Sequence, residues 1–340
     1  MSETPKLSVL IVSWNVRDML AACLDALVRE VDGMAAEIIV VDNASSDGTV
    51  AMLRHEYPAV NVLANAENVG FPIANNQALR VARGEYVLYL NPDTEVGAGS
   101  VRACVAALDA DATIGMAGCK LVLEDGSVQL ECARRAYYLR HMCMEVLYLH
   151  MLFPRSRVFG DHVMSWWDHE GERDVEAICG AFMLARRNVA LQVGGLPEDV
   201  FMYHEDIAFC VRVRRAGWRI RYLGQHSTLH RWRGSSRRST AKLALLEGEY
   251  KLALLRDTQG VWHARAGRII FAVRCAVRFV AGGALSVLFG WTALATRFPR
   301  VLDWRTHGLQ LLWTVAPWLV AHQVPRAPRA AAITEPHVVT

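Results

Sequence analysis

No Cys-x-x-Cys pair occurs among the eight cysteines (23, 104, 119, 132, 143, 179, 210 and 275), and none stands in zinc-ligand spacing with a pair of histidines. That excludes a zinc ribbon or a dithiol redox centre and reads as reduced, mostly structural thiols in a cytosolic protein. The N-terminus lacks a basic n-region and a small-residue cleavage site, so no signal peptide is expected. There is no low-complexity tract, no collagen-like glycine period and no repeat of roughly 20–50 residues, which excludes solenoids and propellers. Charge is modest, at 21% against 53% hydrophobic residues, so the 340-residue chain is no disordered scaffold. Nor is there a basic groove interleaved with aromatics or a reading helix, so nucleic acid is not an expected partner.

The net charge of +3 conceals an asymmetry. Residues 241–340 hold 12 Lys/Arg and 5 acids, whereas residues 1–240 hold 25 and 29. An acidic front suits metal and sugar chemistry, and a basic, apolar tail suits an anionic membrane surface. In the front, continuous apolar runs at Leu7–Val12, Ile38–Val41, Val60–Leu63, Tyr86–Leu90 and Ile114–Val122 predict buried strands. Between them, residues 17–31 carry Met19, Leu20, Cys23, Leu24, Leu27 and Val31 on one helical stripe, and residues 73–83 and 98–109 read the same way. Alternating strand and helix implies an α/β fold with a mostly parallel sheet, whose ligands bind beyond the carboxyl ends of the strands. Three polar clusters follow strands there: Ser13-Trp14-Asn15, Asp42–Thr49 and Asn91-Pro92-Asp93-Thr94. The second also reads as a helix N-cap and turn, and the third as an Asx turn.

Residues 137–177 are rich in Tyr, Met, His and Trp with poor periodicity, and read as a long lid or acceptor-side insertion. An apolar run at Ile178–Ala185 follows, then the turn Gly194-Gly195-Leu196-Pro197. Tyr203-His204-Glu205-Asp206 opens a helix to about Ala216 that Gly217 terminates. Phe279–Thr296 carries no charge and is flanked by Arg278 and Arg297. Its length is at the lower margin of a spanning helix, which leaves an interfacial or re-entrant helix, a span, or a helix packed on the domain or in a dimer.

These residues resemble glycosyltransferase family 2, and within it the rhamnosyltransferase group that builds bacterial cell-surface glycans. The resemblance covers roughly residues 7–236. It rests on Val9-x-Ile11-Val12-Ser13-x-Asn15, Val40-Val41-Asp42-Asn43-Ala44-Ser45-x-Asp47-Gly48-Thr49, Asn68-x-Gly70-Phe71-x-x-Ala74-Asn75-Asn76 and Leu90-Asn91-Pro92-Asp93-Thr94. Further along come Trp167-Asp168-His169, Gly180-Ala181-Phe182, Gly194-Gly195-Leu196-x-Glu198 and Phe201-Met202-Tyr203-x-Glu205-Asp206, ending in Gly217-Trp218. The resemblance implies a GT-A fold, a Rossmann-like, mostly parallel sheet over residues 1–240 with residues 137–177 as the acceptor-side insertion. Residues 241–340 would form a helical, apolar, membrane-associating extension.

The same resemblance implies an inverting, metal-dependent transfer of a sugar, with dTDP-L-rhamnose the favoured donor and a lipid-linked or cell-surface glycan the acceptor. Asp93 would hold Mg2+ or Mn2+ through a single carboxylate, because the family's first aspartate is Asn91 here. His230 is either a second ligand or a histidine bonded within its loop; Arg231, Arg233, Arg237 and Arg238 are either a diphosphate clamp or a solvated basic face. Asp42 would accept from the imide N–H of thymine or uracil, with Ser13, Asn15, Asn43, Asn68, Gly70 and Asn91 along the nucleotide. Asp206 would be the base, its carboxyl raised by the aromatic Phe201 and Tyr203, and Glu205 would orient the sugar or acceptor. Gly180, Ala181, Trp167 and Asp168 would face the acceptor. Alternatives are a UDP- or GDP-sugar donor, or a non-catalytic membrane-bound scaffold. The expected location is cytoplasmic, peripheral on the inner face of the cell membrane, with homo-oligomerisation open.

Overall fold

The computed structural model describes residues 4–231 and 240–289. They form two compact units: residues 4–136 with 155–231, and residues 137–154 with 240–289. In chain order the elements begin β1 (Leu7–Ser13), α1 (Arg17–Val31), β2 (Ala36–Asp42), α2 (Thr49–Glu56), β3 (Asn61–Ala64) and α3 (Phe71–Val81). Then come β4 (Tyr86–Leu90), β5 (Thr94–Val96), α4 (Ser100–Ala110), β6 (Ile114–Val122) and β7 (Ala133–Arg134). Helices α5 (Leu139–Val146) and α6 (Leu149–Leu152) belong to the second unit. The first unit resumes with β8 (Glu172–Val175), β9 (Ala177–Ile178), β10 (Phe182–Arg186), α7 (Arg187–Gln192), α8 (Glu205–Arg215) and β11 (Arg219–His230). The second unit is completed by α9 (Thr240–Gln259) and α10 (Val261–Phe289).

The main sheet has the order β3-β2-β1-β4-β10-β6-β11-β5, with β8 added to β11. From β3 to β4 every pairing is parallel. Every residue of β1 and β4 is buried, which is why those strands read as unbroken apolar runs. The expected mostly parallel sheet has an interruption in its middle: β10 lies antiparallel between β4 and β6. It enters from the chain's later part, so no strand–helix–strand alternation announces it. Met183 of β10 stands opposite Tyr89, whose ring meets Phe209 of α8 edge-on at 5.5 Å. None of the eight cysteines forms a disulfide, and burial pushes the Cys23, Cys119 and Cys210 thiols up to about 12, so these three behave as small apolar core residues.

Residues 137–177, expected as one poorly periodic insertion, divide. The part up to 154 forms α5 and α6 of the second unit, and the rest returns to the first as turns and β8. In the second unit, glycine lets helices close up: a Cβ on Gly248 would come within 2.6 Å of the Phe271 ring, and one on Gly267 within 2.5 Å of Leu255. The Lys251–Glu145 pair at 2.9 Å is covered by the Tyr137 hydroxyl, which donates to the same carboxylate oxygen at 3.1 Å. Of the uncharged stretch Phe279–Thr296, residues 279–289 end α10 and the remainder lies outside the described residues, as do Arg233, Arg237 and Arg238. No helix among the described residues is long and apolar enough to cross a membrane.

Candidate active site

Parallel register sets the first half of the site. Ser13 pairs with Asp42 and Ile11 with Leu90, so β1, β2 and β4 end side by side and Asn91 follows directly. The loops beyond are held by short-range bonds. Asp42 Oδ2 accepts from the Ser45 N–H at 2.9 Å. Asn15 Oδ1 accepts from the Ser46 N–H at 2.8 Å, and the Asn15 N–H donates to Ser45 Oγ at 2.9 Å. Asn43 is fully engaged as a strut: its amide donates to Gly70 O at 3.4 Å and its oxygen accepts from Asn65 at 2.8 Å. Asn68 Oδ1 accepts from the Gly70 N–H at 3.0 Å, closing an Asx turn. Gly70 sits at φ +91°, and the close approach it permits is to Phe201, whose ring and carbonyl oxygen would lie 2.9 and 3.0 Å from a Cβ there. The Phe71 N–H donates to Phe201 O at 3.0 Å. This side is thereby tied to the segment leading into α8.

Beside Asn91 lies a buried acid–imidazole pair. His230 Nε2 is 3.4 Å from Asp93 Oδ1. His230 Nδ1 lies 2.6 Å from Gln129 Oε1. A carbonyl oxygen only accepts, so Nδ1 donates to Gln129, and Nε2 is the ring nitrogen that faces Asp93. Gln129 thus fixes the His230 ring from a segment 101 positions earlier, not from within the histidine's own loop. Arg231 is committed elsewhere, to Glu95 and Glu124.

The third part is the start of α8. Tyr203 and His204 both take left-handed backbone, φ 78° and 64°, immediately before Glu205. Such conformations cost of order 1 kcal/mol or more each and persist where surrounding contacts enforce them. Asp206 Oδ2 accepts from the buried Arg134 guanidinium and from the Gly180 N–H at 2.9 Å. A Cβ on Gly180 would touch the Asp206 side chain at 3.3 Å, so the small residue is needed for that approach. The Ala181 carbonyl accepts from the Asn91 N–H at 3.1 Å, joining this part to the strand ends. Glu205 is the carboxyl that burial raises, with the neighbouring Asp206 adding to the effect, up to about 8.

Polar atoms with no bonded partner gather here. Ser13 Oγ, Asp42 Oδ1, Asn91 Oδ1, Arg134 Nε and Glu205 Oε2 are buried and have no hydrogen-bond partner among the described residues. Each such atom costs roughly 1–3 kcal/mol when left unpaired. Five of them lie along one contiguous set of strand ends and turns, the pattern of a site shaped for a polar ligand.

Two expected acceptor residues are placed differently in character. Trp167 is packed, its ring 4.7 Å from His169, 5.3 Å from Tyr222 and under the Arg173 guanidinium at 4.5 Å. Asp168 is exposed and accepts from the Glu170 N–H. His169 Nε2 lies 3.3 Å from the Ala133 carbonyl, so this motif braces β7, the strand that carries Arg134. Trp218 packs its Cβ and ring over Gly115. Sequence reasoning missed Arg134, Gln129 and the Gly70–Phe201 contact. No motif marks the first two, and only the β7–β9 pairing brings Arg134 beside Gly180.

Residues 8–156 match the model of glycosyl transferase family 2. The N-acetylglucosaminyl-diphospho-decaprenol L-rhamnosyltransferase of Mycobacterium tuberculosis is 28% identical over 236 residues, covering 66% of this chain and 76% of that protein. The rhamnosyltransferase WbbL of Escherichia coli is 25% identical over 231 residues, covering 65% and 82%. Among solved structures, the mannosyltransferase PcManGT of Pyrobaculum calidifontis, in complex with GDP-Man and Mn2+, superposes with a TM-score of 0.52 at 18% identity, covering 92% of this chain and 88% of its own. That likeness shows the GT-A fold. An ordered set of motifs meets at one sheet edge, residues 8–156 are similar to glycosyl transferase family 2, and both of these relatives are rhamnosyltransferases.

Proposed function

We propose that this chain transfers L-rhamnose from dTDP-L-rhamnose, with inversion, to a lipid-linked or cell-surface glycan acceptor. The observation that carries the reading is the gathering of unpartnered buried polar atoms at the strand ends beside the Asp93–His230 pair. Asp42 keeps one oxygen bonded to backbone and the other free, which suits an imide N–H of thymine. The rhamnosyltransferase relatives support the sugar, and the one named for a diphospho-decaprenol support supports a lipid-linked acceptor.

Asp93 and His230 offer an oxygen and a ring nitrogen to Mg2+ or Mn2+, and no group of three or more His, Cys, Asp or Glu suited to a metal occurs among the described residues. The set fits a cation whose shell is completed by the donor's phosphates. When bound, such an ion offsets the charge that develops on the departing diphosphate. The chain's own residues do the rest. Asp206 takes the proton of the acceptor hydroxyl as its oxygen bonds to the anomeric carbon and the bond to phosphate breaks on the opposite side. The test is dTDP release from dTDP-L-rhamnose with acceptor, in Mn2+ or Mg2+ and after chelation. Metal-dependent release is expected. Release only from a UDP- or GDP-sugar would reassign the donor, and no turnover or nucleotide-induced Tm rise with any donor would overturn the reading.

We also infer peripheral attachment to the inner face of the membrane through the second unit. Helix α10 exposes Trp262, Ile269, Val273, Val277 and Val280 at helical spacing, with Arg265 stacked 4.6 Å over Trp262. An apolar stripe beside arginine suits an anionic lipid surface. Full-length protein should co-float with vesicles containing anionic phospholipid, and Trp262→Glu should weaken this. A concentration-dependent dimer with no flotation would assign the stripe to self-association instead.

A further inference from the structure

The inner end of the site holds two adjacent carboxyl groups and one cation, all more than nine-tenths buried: Glu205, Asp206 and Arg134. Their partners are unequal. Asp206 receives three donors: the Arg134 guanidinium and the Gly180 N–H on Oδ2, and the Ile207 N–H on Oδ1 at 2.7 Å. The Glu205 carboxyl is reached only by the backbone N–H groups of Glu205 and Tyr203, and its Oε2 receives no donor among the described residues. One guanidinium can neutralise one carboxylate, and two neighbouring carboxylates away from water do not both ionise readily.

We propose that Arg134 is a positioning residue that divides the pair, keeping Asp206 ionised to take the acceptor proton and leaving Glu205 as a neutral acid whose O–H donates to an oxygen of the bound sugar. The proposal rests on Asp206 being the proton acceptor. The direction of the Glu205 shift agrees, because burial and then the Asp206 charge raise it. The other titratable groups facing the cluster are Glu131 before β7, Cys179 after β9 and Cys210 on α8. Both thiols are raised by burial, so they stay uncharged, and Arg134 stays cationic. Environments that push two neighbouring acids apart are how a single site assigns different roles to them.

Two measurements test this on the full chain. Infrared difference spectra across a pH titration should show a protonated-carboxyl band at neutral pH that fades near pH 8 and is missing in Glu205→Gln. Steady-state kinetics should show kcat falling above that pH in the native protein. The alkaline limb should be gone in Glu205→Gln, whose kcat at neutral pH drops by about tenfold or less. Arg134→Met should lose about 100-fold in kcat with donor KM little changed, and Arg134→Lys should recover part of it. If Arg134→Met does not fold, Arg134→Lys and Glu205→Gln decide. Absence of the band at neutral pH, an alkaline limb that survives Glu205→Gln, or native kcat in Arg134→Lys and Arg134→Met would overturn the proposal. A chain inactive on every donor would sink the transfer reaction, yet the infrared band would still judge the pairing.

Discussion

The two sides of the site are built in different ways. On the side proposed for the nucleotide, Ser13, Asn15, Asp42 and Asn91 stand at the ends of parallel strands, and local bonds such as Ser45 to Asp42 and Ser46 to Asn15 fix their loops. On the other side, Asp206 is held by Arg134 and Gly180, residues 72 and 26 positions away. The first arrangement follows from sheet register and turn chemistry. The second exists only once β7 has paired with β9 and α8 has docked. Substitutions on the nucleotide side should therefore act on donor binding, and those on the far side on the chemical step.

The sharpest break in that contrast comes from Asp206→Asn, which should lower kcat by roughly 10²–10⁴ while donor KM holds, measured by dTDP release. Asp42→Ala should do the reverse. Losing a charged acceptor for one N–H, worth about 1.5–3 kcal/mol, raises donor KM by roughly 10- to 100-fold with kcat retained. A kcat loss there, or a KM loss at Asp206, would merge the two sides. Asn43→Ala sharpens the comparison from the middle, since Asn43 braces Gly70 and Gly70 packs on Phe201 just ahead of Glu205. It should destabilise the protein by about 1–2 kcal/mol in urea titrations and worsen both constants mildly. The smallest effect concerns pH. A Glu205 carboxyl with an ordinary value of 4.5 is held protonated until about 8 in the folded state. The folded state then binds the extra proton between those values, so stability falls as pH rises across that window. Glu205→Gln should flatten that slope of urea midpoint against pH.

Much of the first side was legible. The strands Tyr86–Leu90 and Ile114–Val122 and the helix over 17–31 stand at their expected bounds, because buried strands and an amphipathic helix leave plain periods in the sequence. Asp42 and Asn91 stand where β2 and β4 end beside β1, and the Asn91–Ala181 and Gly180–Asp206 bonds link those ends to the start of α8. The β10 insertion was not legible, since direction within a sheet leaves no mark on an apolar run. That burial raises the Glu205 carboxyl, and that a cation sits beside Asp206, were not legible, since that cation, Arg134, lies 72 positions earlier. The stretch 137–177 looked structureless because α5 and α6 answer to a different core, that of the second unit.

By itself the sequence determined the α/β framework and which polar clusters would line the strand ends, because periodicity and turn residues are encoded locally. Only the tertiary structure decided which carboxylate receives the buried arginine, which imidazole nitrogen faces Asp93 and which glycine makes room for a phenylalanine. Those choices depend on groups far apart in the chain meeting where water is excluded, and there a single charge or lone pair changes the outcome.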